Sequence, residues 1–293
     1  MKHPLATLAL IPLLTAGCAT LDPTAKPEPV RHAQDSFHIG FAGFTFVRVG
    51  LDKAIDTLKE MDVHYLCVKD FFLPFKASDD EVAAFKKRMA DAQITPYAIG
   101  PIYSSTKEEI DRDFAFTQKL GVNLIVGVPV TYKGGVKDWS MQEPNAALID
   151  YVEQKVKETG LRYAIHNHGP DGAPYATANE LWGYIKDKDA RIGFCLDIGH
   201  NARSNEDPWT AIRLYRDRIF DIHWKNITAF AKSGHSLPAS RGKLDYTQFV
   251  KALREVGYTG VLALEYEADM GDPYRGIAES IGYLRGILDA TVR

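Results

Sequence analysis

A chain of 293 residues with 35 Lys+Arg against 38 Asp+Glu carries a formal net charge of −3. No Lys/Arg cluster stands out, so the electrostatic footprint of a nucleic-acid binder is missing and a small polar ligand is the better expectation. The length suits one large core, and a single β/α barrel typically takes about 250 residues.

At the N-terminus Met1-Lys2-His3 is a short basic start, residues 5–14 are apolar, and Ala16-Gly17 set small residues before Cys18. That is the order of an export signal, and the apolar run is too short to span a bilayer stably. Leu14-Thr15-Ala16-Gly17-Cys18 resembles the lipobox of bacterial lipoproteins, with Thr15 where an aliphatic residue is usual. The resemblance implies that residues 1–17 are removed and Cys18 is acylated, leaving the protein exported and held at the periplasmic side by a lipid anchor alone. Ala19 rather than Asp points, by analogy, to the outer membrane. Plain secretion is the main alternative. Residues 18–35, with three prolines between Ala19 and Gln34, read as an extended tether, and the folded part is expected over 36–293.

From Phe37 onward apolar runs of strand length alternate with segments of helical period, the signature of an α/β fold with parallel strands. The pairs, strand then helix, are 37–46 with 51–61, 63–68 with 79–92, 95–99 with 107–120, and 122–128 with about 143–158. They continue as 161–166 with about 178–185, 191–197 with a helix starting near Pro208, 219–224 with about 246–256, and 260–266 with a last helix to about Leu288. Eight such pairs predict a (β/α)8 barrel as a single domain. Gly121, Gly160 and Gly257 each follow a helix where a left-handed cap belongs. Residues 131–142 and 226–245 are long connections of the kind that build an active-site rim. Cys67 and Cys195 fall inside predicted strands and read as buried free thiols.

Four strands carry the chemistry. Successive residues of a strand face opposite ways, so Leu161, Tyr163 and Ile165 oppose Ala164, His166 and His168, while Phe194 and Leu196 oppose Cys195 and Asp197. Phe220, Ile222 and Trp224 likewise oppose Asp221, His223 and Lys225, and Leu262, Leu264 and Tyr266 oppose Ala263, Glu265 and Glu267. Bulky apolar residues face one way and ionisable ones the other. The ionisable residues gather at the C-terminal strand ends, where a barrel keeps its active site.

Over about residues 37–288 the chain resembles the xylose isomerase-like TIM-barrel superfamily of sugar phosphate isomerases and epimerases. The resemblance rests on Cys195-Leu196-Asp197-Ile198-Gly199-His200 with Arg203 and Asp207-Pro208, on Arg218 through His223-Trp224-Lys225, and on Gly257-Tyr258-Thr259-Gly260 leading to Glu265. It implies one divalent metal ion held by His166, Asp197, His223 and Glu265, one residue from each strand. His166 stands where many epimerases have a carboxylate, so the two-glutamate acid and base of such enzymes is reduced to Glu265; relatives with a histidine there exist among dehydratase-like members. By the same resemblance His200 touches substrate rather than metal.

Two imidazoles with two carboxylates suit manganese, cobalt or zinc, and magnesium less well. An ion so held polarises a carbonyl and acidifies the adjacent C–H, and a nearby base then yields an enediolate. The catalytic candidates are Glu265, Lys225, His200 and Glu267, with Lys225 an oxyanion partner or, with a lowered pKa, an acid. His168, Arg203 and Arg241 are candidates for substrate contact. Singly, a His or Glu near a strand end is more often a hydrogen-bonded loop residue; four in register are a site. Glu267 and His168 serve equally well as residues orienting the ligands. Of Trp139, Trp182, Trp209, Phe71 and Phe72, only the two phenylalanines stand out from ordinary core as sugar-stacking residues.

The expected function is a metal-dependent isomerase or epimerase of a non-phosphorylated sugar or keto-sugar. A keto-sugar lyase or dehydratase of the same fold and a non-catalytic sugar-binding lipoprotein are the alternatives. A three-zinc nuclease lacks its further ligands here. Glu265 and Glu267 lie on one strand about 7 Å apart, badly placed to flank both sides of a glycosidic bond.

Overall fold

Eight parallel strands close into a barrel in strict chain order, each hydrogen-bonded to the next and the last to the first. They are β1 (His38–Ala42), β2 (Tyr65–Val68), β3 (Thr95–Ser104), β4 (Leu124–Pro129), β5 (Arg162–His166), β6 (Ile192–Asp197), β7 (Ile219–Trp224) and β8 (Val261–Leu264). Around them run α1 (Gly50–Glu60), α2 (Asp79–Asp91), α3 (Lys107–Leu120), α4 (Gln142–Thr159), α5 (Ala178–Ile185), α6 (Ile198–Arg203), α7 (Pro208–Tyr215), α8 (Tyr246–Val256) and α9 (Tyr274–Ala290). The structure is a computed structural model that describes residues 35–133, 136–137, 142–170 and 175–291. The export signal, Cys18, nearly all of the tether and Trp139 lie outside the described residues. Among those described, no helix is long and apolar enough to cross a membrane.

Local chemistry sets the helix ends. Ser78 with Glu81 and Thr177 with Glu180 form reciprocal capping boxes for α2 and α5. Pro208 opens α7 behind the Asp207 cap. Gly121 and Gly257 end α3 and α8 with φ of 80° and 62°, the left-handed conformation expected of them.

Two packed layers follow from side-chain alternation. A narrow cluster of Cys67, Ala98, Leu124, Val126, Ala164, Cys195 and Phe220 forms the buried inward layer of the strands. The larger cluster, including Tyr163, Phe194, Leu196, Ile222 and Trp224, lies between strands and helices. Cys67 and Cys195 are buried and free, as expected.

Four details depart from the sequence reading. The first strand stops at Ala42, and Gly43–Phe46 is a 3-10 turn whose buried Thr45 hydroxyl donates to Leu264 O (3.0 Å) and accepts from Tyr266 N (2.9 Å). That turn pins the backbone on either side of Glu265. Strand β3 runs on to Ser104 across a register shift against β4. An additional short helix, α6, begins directly at Ile198 because Asp197 caps it through a bond from His200 N to Oδ1 (2.8 Å). Phe220 breaks the alternation: the register of β6 against β7 slips between Phe194 and Cys195, so Phe220 joins the inward cluster beside Asp221's neighbour Cys195.

Candidate metal centre

The strand ends bring four donors together. His166 and Asp197 are the last residues of β5 and β6, His223 is the penultimate residue of β7, and Glu265 follows β8 directly. All four are buried, none more than 3% exposed, and one ligand atom from each lies within 4.8 Å of the others. His166 Nε2 is 3.6 Å from Asp197 Oδ2 and 3.7 Å from Glu265 Oε2, and His223 Nδ1 is 3.4 Å from Glu265 Oε1. Donors bonded to one ion at about 2.0–2.2 Å sit about 3–4.4 Å from each other. These distances fit.

Hydrogen bonding points the same way. Among the described residues both ring nitrogens of His166 and of His223 are buried without a hydrogen-bond partner, and Asp197 Oδ2 accepts no hydrogen bond although the Lys225 ammonium lies 3.1 Å away. A buried polar atom left unpaired costs about 1–3 kcal/mol, so this much dissatisfaction in one spot calls for a cation. Nitrogen and oxygen donors in this mixture suit a divalent transition ion.

Neighbouring groups hold the ligands in place. Asn167 Oδ1 accepts from Asp197 N (2.7 Å), while Asn167 Nδ2 donates to Asp197 O (3.1 Å) and Asn201 Oδ1 (2.5 Å). Lys225 is buried, with Nζ 2.8 Å from Glu265 Oε2, 2.5 Å from Glu267 Oε2 and 3.1 Å from Asp197 Oδ2. Burial alone would lower the Lys225 pKa, but the Asp197, Glu265 and Glu267 carboxylates outweigh it and hold the amine well above its usual value. Its protein surroundings therefore keep it charged. A side chain at Gly199 would bring Cβ within 2.4 Å of Lys225 Cγ, so the glycine of the Asp-Ile-Gly-His segment makes room for the lysine stem.

Three more carboxyl and imidazole groups complete the ring. Burial, with Glu265 adding to it, raises Glu267 against the opposing pull of Lys225. The His168 and His200 rings lie 4.4 Å apart, and His200 is 5.9 Å from His166. Burial, helped by His166 and Lys225, depresses His168 to about 4; burial takes His200 well below its ordinary value, Asp197 opposing. Both are neutral bases at neutral pH. His200 Nδ1 donates to Gly169 O (2.9 Å), which leaves Nε2 as its basic nitrogen. Arg203 stands beside it, Nη1 3.3 Å from His200 Nδ1 and Nη2 donating to Lys232 O (3.0 Å).

Other candidates fall elsewhere. Arg241 is exposed and paired with Glu279 of α9 through Nε (2.7 Å) and Nη2. Trp182 stacks on Phe194 and Tyr215, and Trp209 on Phe249, so both are packing residues on the helical side of the strands. Phe72 is buried, whereas Phe71, set edge-on to it, is 38% exposed. A cavity of about 370 Å³ by Trp209, Phe230 and Lys243 is not lined by any of the four donors.

Sequence reading gave no role to Asp221 and Tyr97. Asp221 is fully buried, its Oδ2 3.5 Å from His223 Nε2 and accepting from Tyr97 OH at 2.9 Å. A carboxylate behind a ligating imidazole fixes its tautomer and orientation. The Asp-x-His spacing in β7 was the available signal; Tyr97, from a distant strand, offered none.

A closed parallel barrel with a buried nitrogen and oxygen donor set at its C-terminal mouth defines an enzyme-type β/α barrel with a candidate site for a divalent ion. Residues 42–287 match the family described as Xylose isomerase-like TIM barrel, and the chain belongs to that family. An inosose dehydratase of Lacticaseibacillus casei is 26% identical over 161 residues, 49% of this chain and 52% of that protein. The chain thus spans about half the length of that curated relative. Among solved structures, the IOLI protein with a bound zinc atom superposes with TM-score 0.70 at 16% identity, covering 87% of this chain and 99% of that one. An L-ribulose 3-epimerase superposes with TM-score 0.67 at 17% identity, covering 87% and 95%. At those identities the likeness is one of fold.

Proposed function

We propose that the protein is a divalent-metal-dependent enzyme that enolises a non-phosphorylated keto-sugar or keto-polyol. The observation that carries this reading is the ring of four buried donors, His166, Asp197, His223 and Glu265, with Lys225 bridging two of them. The ion, when bound, supplies a Lewis acid that polarises the substrate carbonyl. Lys225, charged, donates to oxygen as negative charge develops there. Proton removal falls to Glu265 or to the neutral His168 and His200 pair, whose depressed pKa values keep a lone pair available at neutral pH. Arg203 contributes donors for a hydroxyl at the rim.

Isomerisation or epimerisation returns the proton to carbon; dehydration expels a β-hydroxyl as water. His166, in place of a second glutamate, favours the dehydratase reading, because Glu265 alone leaves no matched glutamate acid and base on opposite substrate faces. The dehydratase activity named for the curated relative agrees with it.

The test is proton NMR of free keto-sugars and inososes in deuterium oxide with manganese or zinc. Deuterium entering the carbon next to the carbonyl, lost in Glu265→Gln, supports enolisation; a product lighter by one water identifies dehydration. No exchange with any substrate would refute the catalytic reading and leave a sugar-binding barrel.

For location we propose export as a lipoprotein, with residues 1–17 removed, Cys18 acylated and residues 18–35 as tether to a barrel over 36–293; this supports the choice of a non-phosphorylated substrate. Labelled palmitate incorporated by the chain and not by its Cys18→Ala variant is the expected result. Labelling of neither would overturn it.

A further inference from the structure

The two ligating histidines have more nitrogen than one ion can use. Each is buried, and among the described residues neither nitrogen of either ring finds a hydrogen-bond partner. His166 Nε2 and His223 Nδ1 face the carboxylates of the His166, Asp197, His223 and Glu265 set, which leaves His166 Nδ1 without a partner and His223 Nε2 with the Asp221 carboxylate 3.5 Å away. Beneath that set lies a thiol: Cys195, fully buried, occupies the position opposite His166 in the β5 and β6 pairing. Its Sγ and one nitrogen each of His166 and His223 lie within 4.8 Å of one another. Asp221 Oδ2 is 3.8 Å from Cys195 Sγ and 3.5 Å from His223 Nε2, so thiol and nitrogen border the same spot.

We propose that the barrel contains a second, deeper ion position made by Cys195, His166 and His223, selective for strongly thiophilic ions such as cadmium or copper(I). Sulfur with imidazole is the donor combination such ions prefer, whereas the carboxylate-bearing set above suits harder ones. On entry of a dication the Cys195 S–H bond breaks, its proton passes to solvent and a sulfur–metal bond forms. The single remaining positive charge then faces the Asp221 carboxylate in a site otherwise closed to water. A neutral imidazole has one lone pair, its other nitrogen carrying the proton, so each ring serves one ion at a time. Occupation of the two positions is therefore exclusive, and a thiophilic ion blocks the site above it. That last consequence alone rests on the catalytic reading.

Cadmium titrated into the full-length chain in a Cys18→Ser background tests this by the ultraviolet thiolate-to-cadmium charge-transfer band. The expected result is a band saturating at one ion per chain, retained in Cys67→Ser and in the Asp197→Asn, Glu265→Gln double variant, and lost in Cys195→Ser. Far-UV circular dichroism checks that Cys195→Ser is folded, and cadmium NMR of the parent chain reads sulfur ligation directly without any substitution at Cys195. No band and no sulfur-ligated resonance in the parent would overturn the proposal. So would a band that survives Cys195→Ser or disappears with the two carboxylates. The double variant has no hard-ion site, so failure of the upper site and of the deeper one are read separately.

Discussion

Replacing Lys225 by methionine keeps the stem and removes the charge that three carboxylates share. Asp197, Glu265 and Glu267 then face one another with Nζ contacts of 3.1, 2.8 and 2.5 Å gone, and the first two are buried. Removing one partner of a buried ion pair costs about 3–5 kcal/mol, because the other charge stays behind uncompensated. For a domain of this size each kcal/mol moves the melting temperature by roughly 2–4 °C, so a fall of about 6–20 °C is expected in chelator. Burial raises Asp197 and Glu265, but Lys225 and the histidines more than reverse it, holding both carboxyls low. Stability from such depressed groups is present above their unfolded values and lost as pH falls through the folded ones. The penalty in Lys225→Met is therefore larger at neutral pH than near pH 4, where a carboxyl takes up a proton. A divalent ion restores the missing positive charge, so manganese or zinc should raise the variant's melting temperature by more than it raises the parent's. Differential scanning calorimetry with and without chelator measures this. A variant that melts with the parent in chelator, or gains nothing extra from the ion, would refute the reasoning.

Three further outcomes follow from the same geometry. Asp221→Asn removes the carboxylate behind His223 and should weaken divalent-ion affinity roughly 10–100-fold by competition with a chromophoric chelator, with Tyr97→Phe giving a smaller loss in the same direction. Gly199→Ala forces a methyl to within 2.4 Å of Lys225 Cγ, and should cost about 1–3 kcal/mol in urea unfolding while disturbing ion affinity. For His166, burial works against protonation but the Asp197 and Glu265 carboxylates raise its pKa, so an ion must displace a proton. Apparent affinity should thus fall as pH drops through that raised value, with proton release seen by calorimetry in buffers of different ionisation enthalpy.

The barrel was legible because its signal is local and repeated: a period-two strand followed by a period-3.6 helix recurs eight times, three of the helices are followed by a glycine cap, and each instance corroborates the rest. Convergence of His166, Asp197, His223 and Glu265 was legible for the same reason, since strand parity alone decides which side chains point inward. Phe220 shows where parity fails: a register slip between β6 and β7 depends on two strands at once and leaves no mark in either alone. The Tyr97 to Asp221 bond spans 124 residues, and the seat of Lys225 between three carboxylates joins three strand ends. Such contacts are fixed by side-chain reach across the closed barrel. The Trp182 and Trp209 rings show the converse, since composition allowed them at a sugar site and packing put them among the helices.

Metal content is the most direct measure of the central claim. The full-length chain, incubated with manganese or zinc and dialysed, is expected to retain one ion per chain by inductively coupled plasma mass spectrometry, and a His166→Ala, Glu265→Ala double variant none. An ion bound equally by the variant, or no ion in the parent, would contradict the assignment of these four residues as a metal centre.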